Sequence, residues 1–416
     1  MHTLYCEIPY QDPVDVFSCF SEQQGALLFD SAELRKDCGQ YSFIAIEPFL
    51  VISSKNSSEN PFVKLQQELK KFTQETLPNL PPFQGGAAGY FGYELFQHVE
   101  NLPLALEDEM RFPDMIVGFY DVVLGFDHLK KQAWIFSTGF PLQEEKARLD
   151  RAKERLEKVK AGLPRRYALR NDEGVSVSII SSHFSPEQYK ALIKKVIDYI
   201  LAGDIFEANI SQRFRAILPE KLSPFELYKR LRKINPAPFA AFLHFDGWIL
   251  ASASPERFIK VNAGFVETRP IKGTRARGKS EQEDKALAAE LLSSEKDYAE
   301  NIMIVDLLRN DLSRVCEDYS VEVPQLCGLE SYSTVHHLVS VVNGKLRKNL
   351  TAVDLLQAVF PGGSITGAPK YRAMEIISEL EGLQGILKNS FRTVLSKVTL
   401  SSCALCRRRG LGRGGF

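Results

Sequence analysis

Charge of one sign is missing from this chain. Its 416 residues carry 52 Lys+Arg against 52 Asp+Glu, so no overall field draws it to nucleic acid or to an anionic membrane. Long apolar runs are missing too, and nothing approaches the ~18 consecutive apolar residues of a membrane span. The opening residues, MHTLYCEIPYQDPVD, lack the basic region and apolar run of a secretory signal. The seven cysteines are odd in number and mostly scattered, which suits reduced thiols in a cytoplasmic protein. Cys403-x-x-Cys406 lacks the second ligand pair that a structural zinc site needs. What is present, 44% apolar and 25% charged residues, is the balance of a soluble globular protein. The length suffices for one large or two ordinary domains.

Strand-like runs open the chain, GALLFD and then QYSFIAIEPFLVI, followed by helical spacing from Leu65 to Phe72. A Gly-rich segment, QGGAAGYFGYE, precedes MIVGFYDVVLGFDHLKKQAWIFS, whose β-branched and aromatic residues predict a strand pair broken at Asp127–Lys131. A charged helical stretch ends near an exposed linker, Leu163 to Gly174, which divides the chain into residues 1–162 and 175–416. Beyond it, Ser185-Pro186-Glu187-Gln188 supplies an N-cap, a Pro at the first helical position and a capping-box Gln. Tyr189, Leu192, Ile193, Val196, Ile197 and Ile200 then form one apolar helix face, and Gly203 ends it. Strands and helices are interleaved without regular alternation, which predicts an α+β fold rather than a doubly wound parallel sheet.

Four segments carry chemistry. SASPERF, continuing to ETRPIKGTRARG, places Glu256 and Lys272 at neighbouring strand or strand-end positions. A lysine among Pro270, Ile271 and Gly273 reads either as a desolvated nucleophile or as a surface lysine in a turn. In EKDYAENIMIVDLLRNDLSRV, Asp297 and Glu300 share one helix face. They suit Mg²⁺, or form an exposed acidic turn. In STVHHLVS, His336 and His337 point to opposite faces of a strand, so at most one enters a site. FPGGSITGAPKYRAMEII has glycines at phosphate-loop spacing, but Ala368-Pro369 stands where Lys-Ser/Thr is required, which excludes a nucleotide P-loop. What remains is a Gly-rich turn into a helix, whose backbone N–H groups suit a carboxylate.

PFQGGAAGYFGYEL, GDIFEANISQRF, SPERF, RPIKGT, AENIMIVDLLRNDLSRV, HHLVS and FPGGSITGAPKYRAMEII occur here in order, from about Phe83 to Leu380. In this the chain resembles the chorismate-utilising family, which includes anthranilate, aminodeoxychorismate, isochorismate and salicylate synthases. The resemblance implies layered antiparallel β-sheets flanked by helices, with chorismate between them. The lysine of RPIKGT is what aminodeoxychorismate synthases carry, where anthranilate synthases usually have Ala. Glu207 stands where the isochorismate and salicylate enzymes carry a water-activating lysine. Both positions imply amination of chorismate at C4 to 4-amino-4-deoxychorismate, on the way to p-aminobenzoate and folate, without pyruvate elimination. Anthranilate synthase component I is the alternative within the family.

On the same resemblance, Lys272 is the nucleophile and Glu256 the general acid/base. Mg²⁺ is held by Glu300 and Asp297, and Thr274, His337, Gly363, Thr366 and Arg392 contact the substrate. Ammonia is implied to come from a separate glutamine amidotransferase subunit, since no Cys–His glutaminase signature is visible here. Ser31, Tyr41 and Ser42, with Pro238, Phe239 and Ala240, match an L-tryptophan pocket found in relatives, while core packing is the competing account of Tyr41 and Phe239.

After Glu381 the resemblance fails. Relatives have a Gly-rich carboxylate-binding turn and a final helix with further Mg²⁺ ligands. This chain runs instead into VTLSSCALCRRRGLGRGGF, with no Asp or Glu beyond Glu381 and seven basic residues from Lys388 to Arg413. The segment after about 382 reads as out-of-frame translation joined to a shortened gene, which implies weakened Mg²⁺ binding and a catalytically impaired remnant as a further alternative.

Overall fold

The computed structural model describes residues 3–34, 38–55, 57–102, 112–163, 180–245, 247–332, 334–381 and 393–395. Every strand pairing among them is antiparallel. With helices laid against the sheets, this is the α+β architecture that irregular interleaving predicts.

The largest sheet has seven strands in the order Leu4–Ile8, Gln132–Ser137, Val122–Asp127, Tyr41–Ala45, Leu27–Asp30, Phe239–Phe245 and Trp248–Ser254. Its last two strands come from beyond the segment 163–174, so one sheet draws on both halves of the sequence. A four-stranded sheet holds Thr393–Leu395, Gly86–Phe91, Met115–Tyr120 and Leu50–Ser54. In a third sheet, Val335–Lys345 is the hub and pairs with Phe265–Thr268, Ile271–Ala276 and Glu322–Ser331.

The main core also crosses between the halves. Ile52, Phe62, Phe91 and Phe119 pack with Val305, Leu312, Val342 and Phe360, all buried. Burying such side chains contributes about 1.5–3 kcal/mol each, which ties the early and late strands into one folding unit.

The capping box at Ser185 forms as the sequence predicts. Ser185 Oγ accepts from the Gln188 backbone N–H at 3.2 Å, and Gln188 Oε1 accepts from the Ser185 N–H at 2.8 Å. The helix runs Pro186–Leu201, and Gly203 follows at φ +81°. Its apolar face is less covered than the periodicity suggests. Tyr189 and Val196 are buried, Val196 against Ala373, Ile376 and Leu380, whereas Ile197 and Ile200 are 48% and 39% exposed. The pattern identified the helix, but packing against Lys370–Glu381 uses only part of that face.

That last helix is anchored by a buried ion pair. Lys370 Nζ donates to Asp311 Oδ2 at 2.5 Å and to the Val359 carbonyl at 3.1 Å. Burial depresses the Lys370 pKa and raises that of Asp311. Removing one partner of a buried pair strands the other charge, at about 3–5 kcal/mol. We therefore expect Lys370→Met to lower the unfolding free energy by about that amount in urea titrations, and Lys370→Met with Asp311→Leu to recover most of it.

Candidate active site

Lys272 lies on the strand Ile271–Ala276, whose pairing with Val335–Lys345 shifts register between Ile271 and Thr274. Gly273, at φ +86°, makes that irregularity possible, because a bulge of this kind favours a residue without Cβ. A Cβ there would also lie 2.9 Å from Asp297 Cβ, so the glycine lets the helix Glu295–Ser313 approach the strand closely. The result is a lysine 8% exposed, donating from Nζ to Glu207 Oε1 at 2.5 Å. The surface-turn reading of Lys272 is thereby excluded.

Glu207 reaches the lysine from a two-residue strand, Glu207–Ala208, paired with Gly367–Ala368 of the Gly-rich segment. A Cβ on Gly367 would lie 2.0 Å from the Glu207 carbonyl oxygen, so only glycine permits this pairing. Asn209 extends the link: its N–H donates to the Thr366 carbonyl at 2.8 Å and its Nδ2 to the Ser364 carbonyl at 2.9 Å. Ser364 Oγ in turn donates to Glu256 Oε1 at 2.8 Å. A chain of hydrogen bonds thus runs from Lys272 through the Glu207–Asn209 segment to Glu256. Gly363 and Thr366 lie within the same loop, both buried.

The two histidines divide as the strand alternation requires. Thr274 Oγ1, two residues beyond Lys272 on its strand, lies 2.9 Å from His337 Nδ1. His336 faces the other way, with Nδ1 2.7 Å from Ser331 Oγ and Nε2 3.0 Å from Asp284 Oδ1. The helix Glu295–Ser313 is locked to the same strand by Asn301, which donates to the Leu338 carbonyl at 3.2 Å and accepts from Ser340 Oγ.

Asp297 and Glu300 lie one turn apart on that helix, but their surroundings differ. Asp297 Oδ2 accepts from Arg275 Nη2 at 3.1 Å. Glu300 is 36% exposed at its side chain, with a 3.6 Å contact to Lys296, and faces a cleft of about 750 Å³ beside Phe206 and Met303. No cluster of three or more metal-ligating side chains occurs among the described residues. Arg392, and the altered sequence after about 382, lie outside the described residues apart from the strand Thr393–Leu395.

The second group of expected residues also comes together. Ser31 Oγ is 2.6 Å from the Tyr41 carbonyl and 3.2 Å from the Pro238 carbonyl, and the Ser31 N–H donates to Ser42 Oγ. Phe239 and Ala240 follow on the adjoining strand, both buried. Beside this cluster a cavity of about 950 Å³ is lined by Ala32, Glu33, Phe239, Arg257 and Tyr332, among others. Reading the sequence missed His128, whose Nε2 is 2.7 Å from Ser42 Oγ and whose Nδ1 is 2.8 Å from Tyr10 Oη. It also missed Ser364 and Asn209, whose roles depend on contacts between distant segments.

The family of chorismate binding enzymes matches residues 25–386. The chain belongs to this family. It is 38% identical to anthranilate synthase component 1 of Acetivibrio thermocellus over 89% of this chain and 79% of that protein. It is 36% identical to aminodeoxychorismate synthase component 1 of Escherichia coli strain K12, over 88% of this chain and 80% of that one. Among solved structures, anthranilate synthase component I from Streptococcus pneumoniae TIGR4 superposes with a TM-score of 0.76 at 31% identity, covering 90% of this chain and 84% of that chain. The layered fold expected of a chorismate binding enzyme is therefore the fold observed. No described helix is long and apolar enough to cross a membrane.

Two outcomes follow from the geometry. Gly367→Ala should separate Glu207 from the Gly-rich loop and lower stability by about 1–3 kcal/mol, read as a shifted urea midpoint. Burial holds the His128 pKa below its ordinary value near 6.5, so below that pH the unfolded chain binds a proton that the folded chain resists. Stability should fall between pH 7.5 and 5.5, with a shallower fall in His128→Gln.

Proposed function

We propose that this chorismate binding enzyme aminates chorismate at C4, forming 4-amino-4-deoxychorismate with ammonia from a separate glutamine amidotransferase subunit. The observation that carries the reading is the buried Lys272, linked through Glu207 and Asn209 to the loop that holds Glu256. A lysine in the wall of the site suits attack on C2 of the ring as the 4-hydroxyl departs. Glu256, oriented by Ser364, would deliver the proton that the leaving hydroxyl takes as water. Ammonia would then form the new bond at C4, and Lys272 would leave from C2, regenerating the amine. Thr274 and His337, hydrogen-bonded to each other beside Lys272, would line the ring, and Gly363 and Thr366 would bound the pocket.

Glu300, half-exposed on the helix Glu295–Ser313, would supply a carboxylate to Mg²⁺. Such an ion takes one or two protein carboxylates and completes its shell with substrate and water. When bound, it would neutralise the ring carboxylate of chorismate. Asp297 would support the site through its hydrogen bond with Arg275.

Anthranilate synthesis is the second reading, supported by the similarity to the Acetivibrio thermocellus protein. The products separate the two, because only the aminodeoxychorismate route retains the enolpyruvyl group. With chorismate, Mg²⁺ and an ammonium salt, mass analysis should find aminodeoxychorismate; anthranilate would overturn the first reading. Glu256→Gln should lower kcat by about 10²–10⁴. Lys272→Ala should lose turnover, and retention of the full rate would remove the covalent step. The cluster of Ser31, Tyr41, Ser42, Pro238, Phe239 and Ala240 suits the indole and amino acid groups of L-tryptophan, which equilibrium dialysis with the labelled amino acid would detect.

A further inference from the structure

We infer that Asn301 and Ser340 are positioning residues for chorismate. As a buried pair they fix the height of the helix Glu295–Ser313 against the strands that carry Lys272 and His337, and so set the gap that the substrate fills. This rests on the reading of Lys272 and Glu300 as parts of one substrate site. Neither Asn301 nor Ser340 touches the substrate in that reading; both act through the elements they join.

The strand Val335–Lys345 has an irregular neighbour on each side. Its pairing with Ile271–Ala276 shifts register between Ile271 and Thr274, and its pairing with Glu322–Ser331 shifts between Gln325 and Gly328. Ser340 lies where both irregularities meet the strand. Its N–H donates to the Pro270 carbonyl at 3.2 Å, and its Oγ accepts from the Cys327 N–H at 2.8 Å. Cys327 itself stands at φ +51°. The Ser340 hydroxyl donates to Asn301 Oδ1 at 2.5 Å, and Asn301 Nδ2 donates to the Leu338 carbonyl at 3.2 Å. Both side chains are fully buried.

The apolar contacts of this helix resist its separation from the sheet, but such contacts are non-directional and do not fix its height. Hydrogen bonds do, because a buried donor or acceptor left unmade is costly. Only one placement of the helix lets Asn301 reach both Ser340 and the Leu338 carbonyl. One turn earlier on the helix is Asp297, so close to the Lys272 strand that a Cβ on Gly273 would lie 2.9 Å from its Cβ. The height set at Asn301 is therefore passed to Asp297 and Glu300 on one wall, and to His337, next to Leu338, on the other. A rigid ring held from both walls binds well only when the two are in register.

The test is titration calorimetry of chorismate into the full chain without ammonium, so that amination cannot proceed. Ser340→Ala should raise the Kd about tenfold. Leu312→Ala, a buried position further along the same helix, should lower the urea midpoint yet leave the Kd within twofold of wild type. With ammonium added, Ser340→Ala should show a higher KM as well as a lower kcat, whereas mere destabilisation shrinks the active fraction at an unchanged KM. A Kd within twofold of wild type in Ser340→Ala, or an equal rise in Leu312→Ala, would overturn the inference. If circular dichroism shows Ser340→Ala unfolded, Asn301→Ala decides, since it leaves the contact of Ser340 with Cys327 in place. Binding about tenfold weaker then supports the inference, and unchanged binding overturns it. A wild-type chain that binds chorismate but yields anthranilate would sink the proposed amination at C4 and leave the positioning, read from binding alone, standing.

Discussion

The site depends on one close approach, that of Gly367 to the carbonyl oxygen of Glu207. No side chain fits in that gap, and without it the short strand Glu207–Ala208 would have no partner. Because the pairing is antiparallel, it sets both the height of Glu207 against Lys272 and the position of Asn209 against the loop. Asn209 fixes the backbone of Ser364 and Thr366, and Ser364 fixes Glu256. Residues spread from 207 to 366 are thereby held at hydrogen-bond distances by backbone geometry more than by long side chains. Two further features support the arrangement, the backbone bulge at Gly273 and the side-chain ion pair of Lys370 with Asp311 that anchors the helix following the loop.

Much of this was legible in the sequence, for definite reasons. Local signals are self-contained: the Ser185 capping box needs only four residues, and it forms. The alternation that sends His336 and His337 to opposite faces is a property of any strand, and their partners fall on opposite sides. The α+β class followed from irregular interleaving of elements. Periodicity could not report what lies opposite an apolar stripe, so Ile197 and Ile200 look like core residues and are exposed. Nor could spacing reveal the contact of Glu207 with Lys272, because the two lie on short strands 65 residues apart. The ordered motifs brought both to attention, but only folding shows that they touch.

The electrostatic design separates carboxylates by task. Asp284, Glu330 and Asp297 are each neutralised by an arginine, which keeps their charge local. Glu256 instead accepts from the neutral hydroxyl of Ser364. Around the strand Ile271–Ala276 these contacts pair Arg275 with Glu290 and Asp297, and Arg277 with Asp284.

The seven-stranded sheet has a consequence for how the protein is made. The strand Leu27–Asp30 is bordered on one side by Tyr41–Ala45 and on the other by Phe239–Phe245. On the ribosome its second neighbour is roughly 200 residues away, a delay on the order of 10–40 s at ~5–20 residues per second. Throughout that interval the apolar strand Leu27-Leu28-Phe29 lacks the neighbour that pairs one of its edges in the folded protein. The nascent chain is thus exposed to intermolecular strand pairing until its second half emerges, so slow translation or high expression should favour aggregation before any defect of the finished fold does.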